Sequence, residues 1–326
     1  MKMLESPWQD PYLNLALEEV IFDECRDDEY LLLWQNESSL IIGKHQNVFG
    51  EVNQRAAEQE MVPVIRRMTG GGTVYHDLGN VNFSFFYNCT PEEDASYQRF
   101  LRPIQRMLES LGVHAIQNSR NDMEVMGKKV SGNAQLIRGD RILHHGTLLF
   151  NTDLYKMERL LQVPAEKLES KGIASVKSRV GNLKDYVWNP KMPLEEFQAY
   201  IREFMMARGA EKCFPAQSVL DAAEKLADEK YRTYEWNYGQ SPEFTITRSR
   251  RFACGQIEVG LCVENGRITK CQIMGDYLGR KPVEELEKGL TGLLYKKDVI
   301  EETLRTFDLE AYLGKITVDE LMHCFW

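Results

Sequence analysis

The chain reads as an α+β protein, with a large mixed-sheet unit followed by a small C-terminal α/β unit. Three features point there. Over roughly the first 235 of the 326 residues, short apolar strands and helices interleave without the regular period of a doubly wound fold. Residues 244–275 then alternate apolar and polar, with Ile257, Val259, Leu261 and Val263 on one side. Two amphipathic helices follow, near 282–294 and 298–306. The expected division is 1–235 and 236–326.

The elements follow in order. Asp10-Pro11 is a helix cap with proline at the first helical position, and Leu13, Ala16, Leu17, Val20 and Ile21 mark one helical face behind it. Strands are expected at 30–34, 40–43, 62–66, 73–76 and 81–87, the last with Val81, Phe83 and Phe85 on one face. Helices are expected near 53–60 and 97–111, the second stopped by Gly112. Further strands fall around 113–117, 123–126, 130–137 and 143–150, and helices near 194–208 and 217–230. Asp77-Leu78-Gly79-Asn80 is a hairpin turn, and Asn265-Gly266 carries the type I′ hairpin signal. Residues 164–190 are polar and weakly periodic. Lys167, Lys171, Lys177, Arg179 and Lys184 face one acid, Glu169, so the segment reads either as a solvated loop or as a lid.

The most informative stretch runs from Arg66 to Asp77 and contains Gly70, Gly71 and Gly72. Bare backbone lets a ligand approach closely and lets several N–H groups share one concavity. Arg66 and Arg67 add permanent positive charge in a fork that suits phosphate or carboxylate. At about 7% glycine a triplet arises by chance in roughly one such chain in ten, so the reading rests on its neighbours. Apolar residues lead in and Thr73-Val74-Tyr75 leads out, giving strand, anion-binding loop, strand. No Gly-Lys-Ser/Thr follows, so this is not a P-loop. A strand stands where a dinucleotide fingerprint would open a helix.

Two more clusters carry chemistry. In Gly127-Lys128-Lys129-Val130-Ser131-Gly132 a lysine between glycines can reach a bound anion, or simply sit in a tight turn. Asn121-Asp122 lies just upstream, and Asp122 could hold magnesium, orient Lys129 or cap a turn. In His144-His145-Gly146-Thr147 the adjacent imidazoles fall on opposite faces of a strand, so at most one faces a pocket and shared metal binding is disfavoured. Asn80 either reaches the ligand or serves only its turn.

Composition closes several classes. A net charge of −9 argues against a nucleic-acid surface and makes any anion site a local positive pocket. Seven scattered cysteines without a Cys-x-x-Cys pair give little support to zinc or redox chemistry and suit a reducing compartment. No apolar run approaches the roughly 20 residues of a membrane span, and no secretory leader is visible. A cytoplasmic location is expected. No cysteine lies between Cys89 and Cys213, so a covalent acyl-enzyme is disfavoured.

Together the motifs occur in a known order and spacing. RRMTGGGTVYHDLGN, RNDMEVMGKKVSGNAQ, HHGTLLFNTDL, GIASVKSRVGNL and YEWNYG resemble the lipoate–protein ligase A family of the biotin/lipoate ligase superfamily, over nearly the whole chain. That resemblance implies a catalytic domain of the biotin/lipoate ligase type and a small accessory domain that moves during the cycle. It also implies a two-step reaction. ATP and lipoate, with Mg2+, form lipoyl-adenylate, and a lysine of an acceptor then takes the acyl group. The acceptors implied are lipoyl domains of 2-oxoacid dehydrogenase acyltransferases and the glycine cleavage H protein. By position, Arg67, Gly70 to Gly72, Thr73, Val74 and Tyr75 should contact the nucleotide or adenylate. Lys129 should touch the lipoyl carbonyl and the α-phosphate. Asn80, Asn121, Asp122, Ser131, Gly132, His145, Gly146 and Thr147 complete the expected site, with Asp122 the candidate magnesium ligand and amine base. The segment 172–182 should cover the adenylate, and a monomer is expected. The alternatives are an ATP-independent octanoyl or lipoyl transferase of the same superfamily, and an idle sensor of lipoate or adenylate.

Overall fold

The computed structural model describes residues 1–88, 96–118, 121–161, 179–239, 246–264 and 266–325. Asp10 caps the first helix, Pro11–Glu24, by accepting from the N–H groups of Tyr12 and Leu13. The expected apolar stripe is there, but Asn14, Leu15 and Glu18 are buried as well. The helix is enclosed on two sides, by the sheet and by Gln217–Leu226 with its π-helical continuation Ala227–Tyr231.

Eight strands form the central sheet: β1 (Lys2–Glu5), β2 (Tyr30–Trp34), β6 (Asn80–Asn88), β7 (Ile116–Gln117), β8 (Asp122–Val125), β9 (Lys128–Arg138), β10 (Arg141–Leu149) and β11 (Glu211–Lys212). Their order is β11-β1-β2-β6-β10-β9-β8-β7. The first three run parallel and the rest pair antiparallel, which is the mixed sheet expected. Helices cover both faces, so β2 is buried along its whole length. Leu31, Leu33, Val81, Phe83 and Phe85 meet helices Tyr97–Ser110 and Leu194–Met206, whereas Tyr30, Leu32, Trp34 and Phe86 meet the first helix. The helix Tyr97–Ser110 stops at Gly112, whose φ of 80° suits glycine. Strands β1 and β11 had no sequence signal. They are short, and partners distant in sequence set their pairing.

A three-stranded sheet packs beside it: β3 (Ser39–Ile42), β4 (Val64–Arg66) and β5 (Val74–His76). The middle strand is β3, parallel to β4 and antiparallel to β5. The glycine loop therefore crosses the end of β3 to reach its far side. The crossing is tight, since a methyl group on Gly43 would overlap the Gly71 carbonyl. Asp77–Asn80 is a turn, closed by Asn80 N–H to Asp77 O at 3.0 Å, but it does not make a hairpin. Strand β5 pairs with β3, while β6 pairs with β2 and β10. The Gly79 carbonyl accepts from the N–H groups of Phe150 and Asn151, which steers the chain into the larger sheet.

The C-terminal sheet contains β12 (Ile246–Phe252), β13 (Gly255–Glu264) and β14 (Arg267–Gly275). Ile257, Val259 and Leu261 pack under helices Glu284–Leu290, Lys297–Arg305 and Val318–Met322. The hairpin between β13 and β14 is formed, with Asn265 outside the described residues. Residues 235–239, at the expected boundary, pack on β4. Among the described residues, no helix is long and apolar enough to cross a membrane.

Arg66 ties these parts together. Its fully buried guanidinium donates to the carbonyls of Gly43, Lys44, Gln46, Trp236 and Asn237, at 2.7–3.1 Å. Burial draws its pKa down to about 10, so it stays charged at neutral pH. Arg66→Met strands those carbonyls. The expected loss is about 3 kcal/mol of unfolding free energy, measured by urea denaturation followed through tryptophan fluorescence. An unchanged midpoint would show that the clamp adds nothing.

Candidate active site

The glycine loop, β9 and β10 converge on one cavity of about 530 Å³, counting its open mouth. Arg67, Gly72, Thr73 and Val74 line it from the loop, Asn121, Lys129 and Gly132 from β8–β9, and His145, Gly146 and Thr147 from β10. Leu15, Trp34, Ile41 and Ala134 add apolar wall. A cavity with much apolar lining and a few charged groups suits a small ligand with an apolar tail and an anionic head.

Arg67 is almost entirely buried. Nε donates to Thr69 Oγ1 (2.9 Å), Nη1 to Ile41 O (3.0 Å), and Nη2 to Gly70 O (2.6 Å) and Gly72 O (2.8 Å). These four bonds fold the loop around the guanidinium and leave one of its five N–H groups uncommitted. Burial lowers its pKa to about 10, which keeps it cationic. Arg67 thus shapes the cradle as well as lining it.

Lys129 reaches the same cavity. Its Nζ lies 2.9 Å from Asp122 Oδ1, yet that oxygen has no directed hydrogen-bond partner. Gly132 makes room, since a Cβ there would come 2.9 Å from Nζ. Thr147 Oγ1 accepts the Gly132 N–H at 3.0 Å. Gly146 is required as well, because a side chain would overlap Asn133 Oδ1 and the Phe83 ring. Val180 bridges Lys129, and Gly181 N–H donates to Lys129 O at 2.9 Å. The rest of the expected adenylate cover, 172–178, lies outside the described residues.

Several expected positions sit elsewhere. Tyr75 points away from the cavity and pairs its hydroxyl with Ser38 Oγ at 3.1 Å. Strand alternation puts Val74 and His76 on the cavity side instead. Asn80 is fully buried, donating to Asn82 Oδ1 at 2.8 Å, and Asn82 takes the lining position. Ser131 lies behind the wall and accepts from Asn133 Nδ2 at 3.2 Å. Asp122 does not line the cavity itself and pairs with Lys129, which does. Gly70 faces a second cleft, and Gly71 N–H donates to Tyr277 O of the C-terminal unit at 3.3 Å. That unit also donates Gly275 N–H to His45 O (2.7 Å), stacks Tyr277 on the His45 ring and pairs Glu284 with Lys44 (2.7 Å). His76, Asn82 and Trp34 were missed. The signal for Asn82 was a polar stripe (Asn80, Asn82, Ser84) on a central strand. For His76 it was its i+2 relation to Val74.

The family described as "Lipoyl protein ligase A/B catalytic domain" matches residues 10–205, and "Bacterial lipoate protein ligase C-terminus" matches 241–325. The chain belongs to the lipoyl protein ligase A/B family. It is 37% identical over 318 residues to the lipoate-protein ligase LplJ of Bacillus subtilis, covering 96% of each. A lipoate-protein ligase A structure bound with ATP is 27% identical, with a TM-score of 0.62, covering 73% of this chain and 98% of that one. A bi-partite lipoate protein ligase from Thermoplasma acidophilum, described together with its E2 lipoyl domain, is 28% identical, with a TM-score of 0.63, covering 75% and 98%. The chain is thus an enzyme of the lipoate–protein ligase class, with the mixed-sheet fold and C-terminal domain of that family.

The two histidines of this ligase separate as strand geometry requires. His145 lines the cavity, with Nε2 2.8 Å from Thr69 Oγ1. His144 stacks on Phe100, centroids 4.9 Å apart, and neither of its ring nitrogens has a partner. Burial pushes its pKa down to about 3. Between about pH 6.5, where an unfolded histidine titrates, and about pH 3, the unfolded chain holds the extra proton, so stability falls as pH falls. His144→Phe removes that share. Stability at neutral pH should hold or rise, and the loss on going from about pH 7 to about pH 4.5 should shrink by roughly 2 kcal/mol. Chemical denaturation at both pH values measures it.

Proposed function

We propose that the chain activates free lipoate with ATP and passes the lipoyl group to a lysine of an acceptor lipoyl domain. The observation that carries this reading is that Arg67 with its glycine loop and Lys129 line one cavity that also has an apolar wall. In the first step the lipoate carboxylate attacks the α-phosphorus of ATP, forming lipoyl-adenylate and releasing pyrophosphate. Two anions must meet, and the Lys129 ammonium with the Arg67 guanidinium offsets their repulsion. In the second step the acceptor's amine attacks the acyl carbon, an amide forms, and AMP leaves.

For the amine's proton in the second step we take Asp122 as the acceptor, a reading supported by the 2.9 Å between its Oδ1 and Lys129 Nζ. Among the described residues, no cluster of three acidic, His or Cys ligands could hold a metal by itself. Magnesium would be carried mainly by phosphate and water, with Asp122 as a single protein ligand and charge neutralisation as its contribution. The acceptors are the acyltransferase subunits of 2-oxoacid dehydrogenases and the glycine cleavage H protein. The E2 lipoyl domain that accompanies the Thermoplasma acidophilum ligase supports the first. Among the described residues no cysteine lines the cavity, which favours ATP activation over a transferase using a thioester.

Incubation with lipoate, ATP and an acceptor domain should add one lipoyl group, read by mass spectrometry, and omission of ATP should abolish it. Labelling that persists without ATP would instead establish the transferase. Lys129→Ala should lower lipoate-dependent pyrophosphate release by at least about 100-fold while leaving the melting temperature unchanged. Release near the parent rate would remove Lys129 from the chemistry.

A further inference from the structure

Glu18 has no part in the chemistry above, yet it is a carboxylate with no exposed surface on an otherwise largely apolar helix. Such a group persists only where hydrogen bonds hold it. Its Oε1 accepts from Ser84 Oγ at 2.6 Å and lies 2.8 Å from His145 Nδ1, while Oε2 has no partner. Ser84 Oγ in turn accepts from Trp34 Nε1 at 2.8 Å. Beyond the imidazole, His145 Nε2 lies 2.8 Å from Thr69 Oγ1, which also accepts from Arg67 Nε at 2.9 Å. Arg67 then holds the carbonyls of Gly70 and Gly72.

With Glu18 as carboxylate and His145 as neutral imidazole, the directions of these bonds follow. A carboxylate only accepts, so the imidazole proton sits on Nδ1. Thr69 Oγ1 already accepts from the guanidinium. Its own proton has one short acceptor, His145 Nε2 at 2.8 Å, against 3.5 Å to Gly70 O. A continuous chain therefore runs from the buried helix to the anion-binding loop.

We propose that Glu18 is a positioning residue: through the His145 tautomer and the Thr69 hydroxyl it sets the direction of Arg67 and the shape of the glycine loop that receives the nucleotide. This rests on the ligase reading. A purely structural role fits less well. An apolar residue of similar size would fill the space without the cost of burying a charge, and the chain ends on residues that line the cavity.

The test uses Glu18→Leu, which removes the acceptor, and Glu18→Gln, whose amide oxygen can still accept from Nδ1. In Glu18→Leu the KM for ATP should rise about tenfold, and 15N NMR should show His145 leaving the Nδ1–H form. Glu18→Gln should restore both. Thr69→Val cuts the same chain at its other end, so it should raise the KM for ATP similarly and add nothing in the Glu18→Leu background. The proposal is overturned by an unchanged His145 tautomer in Glu18→Leu, by additive effects in the double variant, or by a fall in kcat alone with a lowered melting temperature. Should Glu18→Leu fail to fold, Thr69→Val and Glu18→Gln give the same readings. If the parent protein makes no adenylate, the ligase reading fails, and the tautomer measurement still decides the relay.

Discussion

Two adjacent buried guanidiniums hold the site in shape. Arg66 and Arg67 follow one another at the end of β4 and bind backbone in different places. Arg66 fastens the turn after β3 to residues 236–237, and Arg67 fastens the glycine loop onto itself. Glycine loses more conformational freedom on ordering than any other residue, so three in a row would not keep a concave shape unaided. The carbonyls drawn onto Arg67 supply the missing constraint, and the cation stays beside the cavity.

The second unit meets that loop directly. Gly71 N–H is taken by the Tyr277 carbonyl, and Lys44 next to the loop's crossing point is paired with Glu284. That carbonyl satisfies the Gly71 donor. In this arrangement the C-terminal unit therefore holds one N–H of the glycine loop.

Much of the site was legible because its chemistry needs unusual residues close together in sequence. Gly70–Gly72 beside Arg67, Lys129 before Gly132, and His145-Gly146-Thr147 all stood out, and the structure brings their segments to one place. Misplacements arose where side-chain direction matters. Tyr75 and Asn80 lie in the right segments but face core, and His76 and Asn82 face the cavity. A shift of one residue along a strand, or of two where the chain passes from a turn into a strand, is enough to change what a side chain meets. Trp34 closes an expected apolar strand and gave no separate signal, since an apolar wall and a core look alike.

The amino-acid order alone determined the local elements that rest on nearby residues: the capped first helix, the strand–glycine–strand segment, the alternating C-terminal strands and the order of the reactive clusters. Caps, turns and alternation act within a few residues, so they are written into short stretches. Tertiary structure alone decided that β4 and β5 flank β3, that Glu18 lies beneath His145, and that Tyr277 reaches Gly71. Those outcomes depend on burial and hydrogen-bond satisfaction between distant segments, 127 residues apart in the case of Glu18 and His145, and no local pattern encodes them.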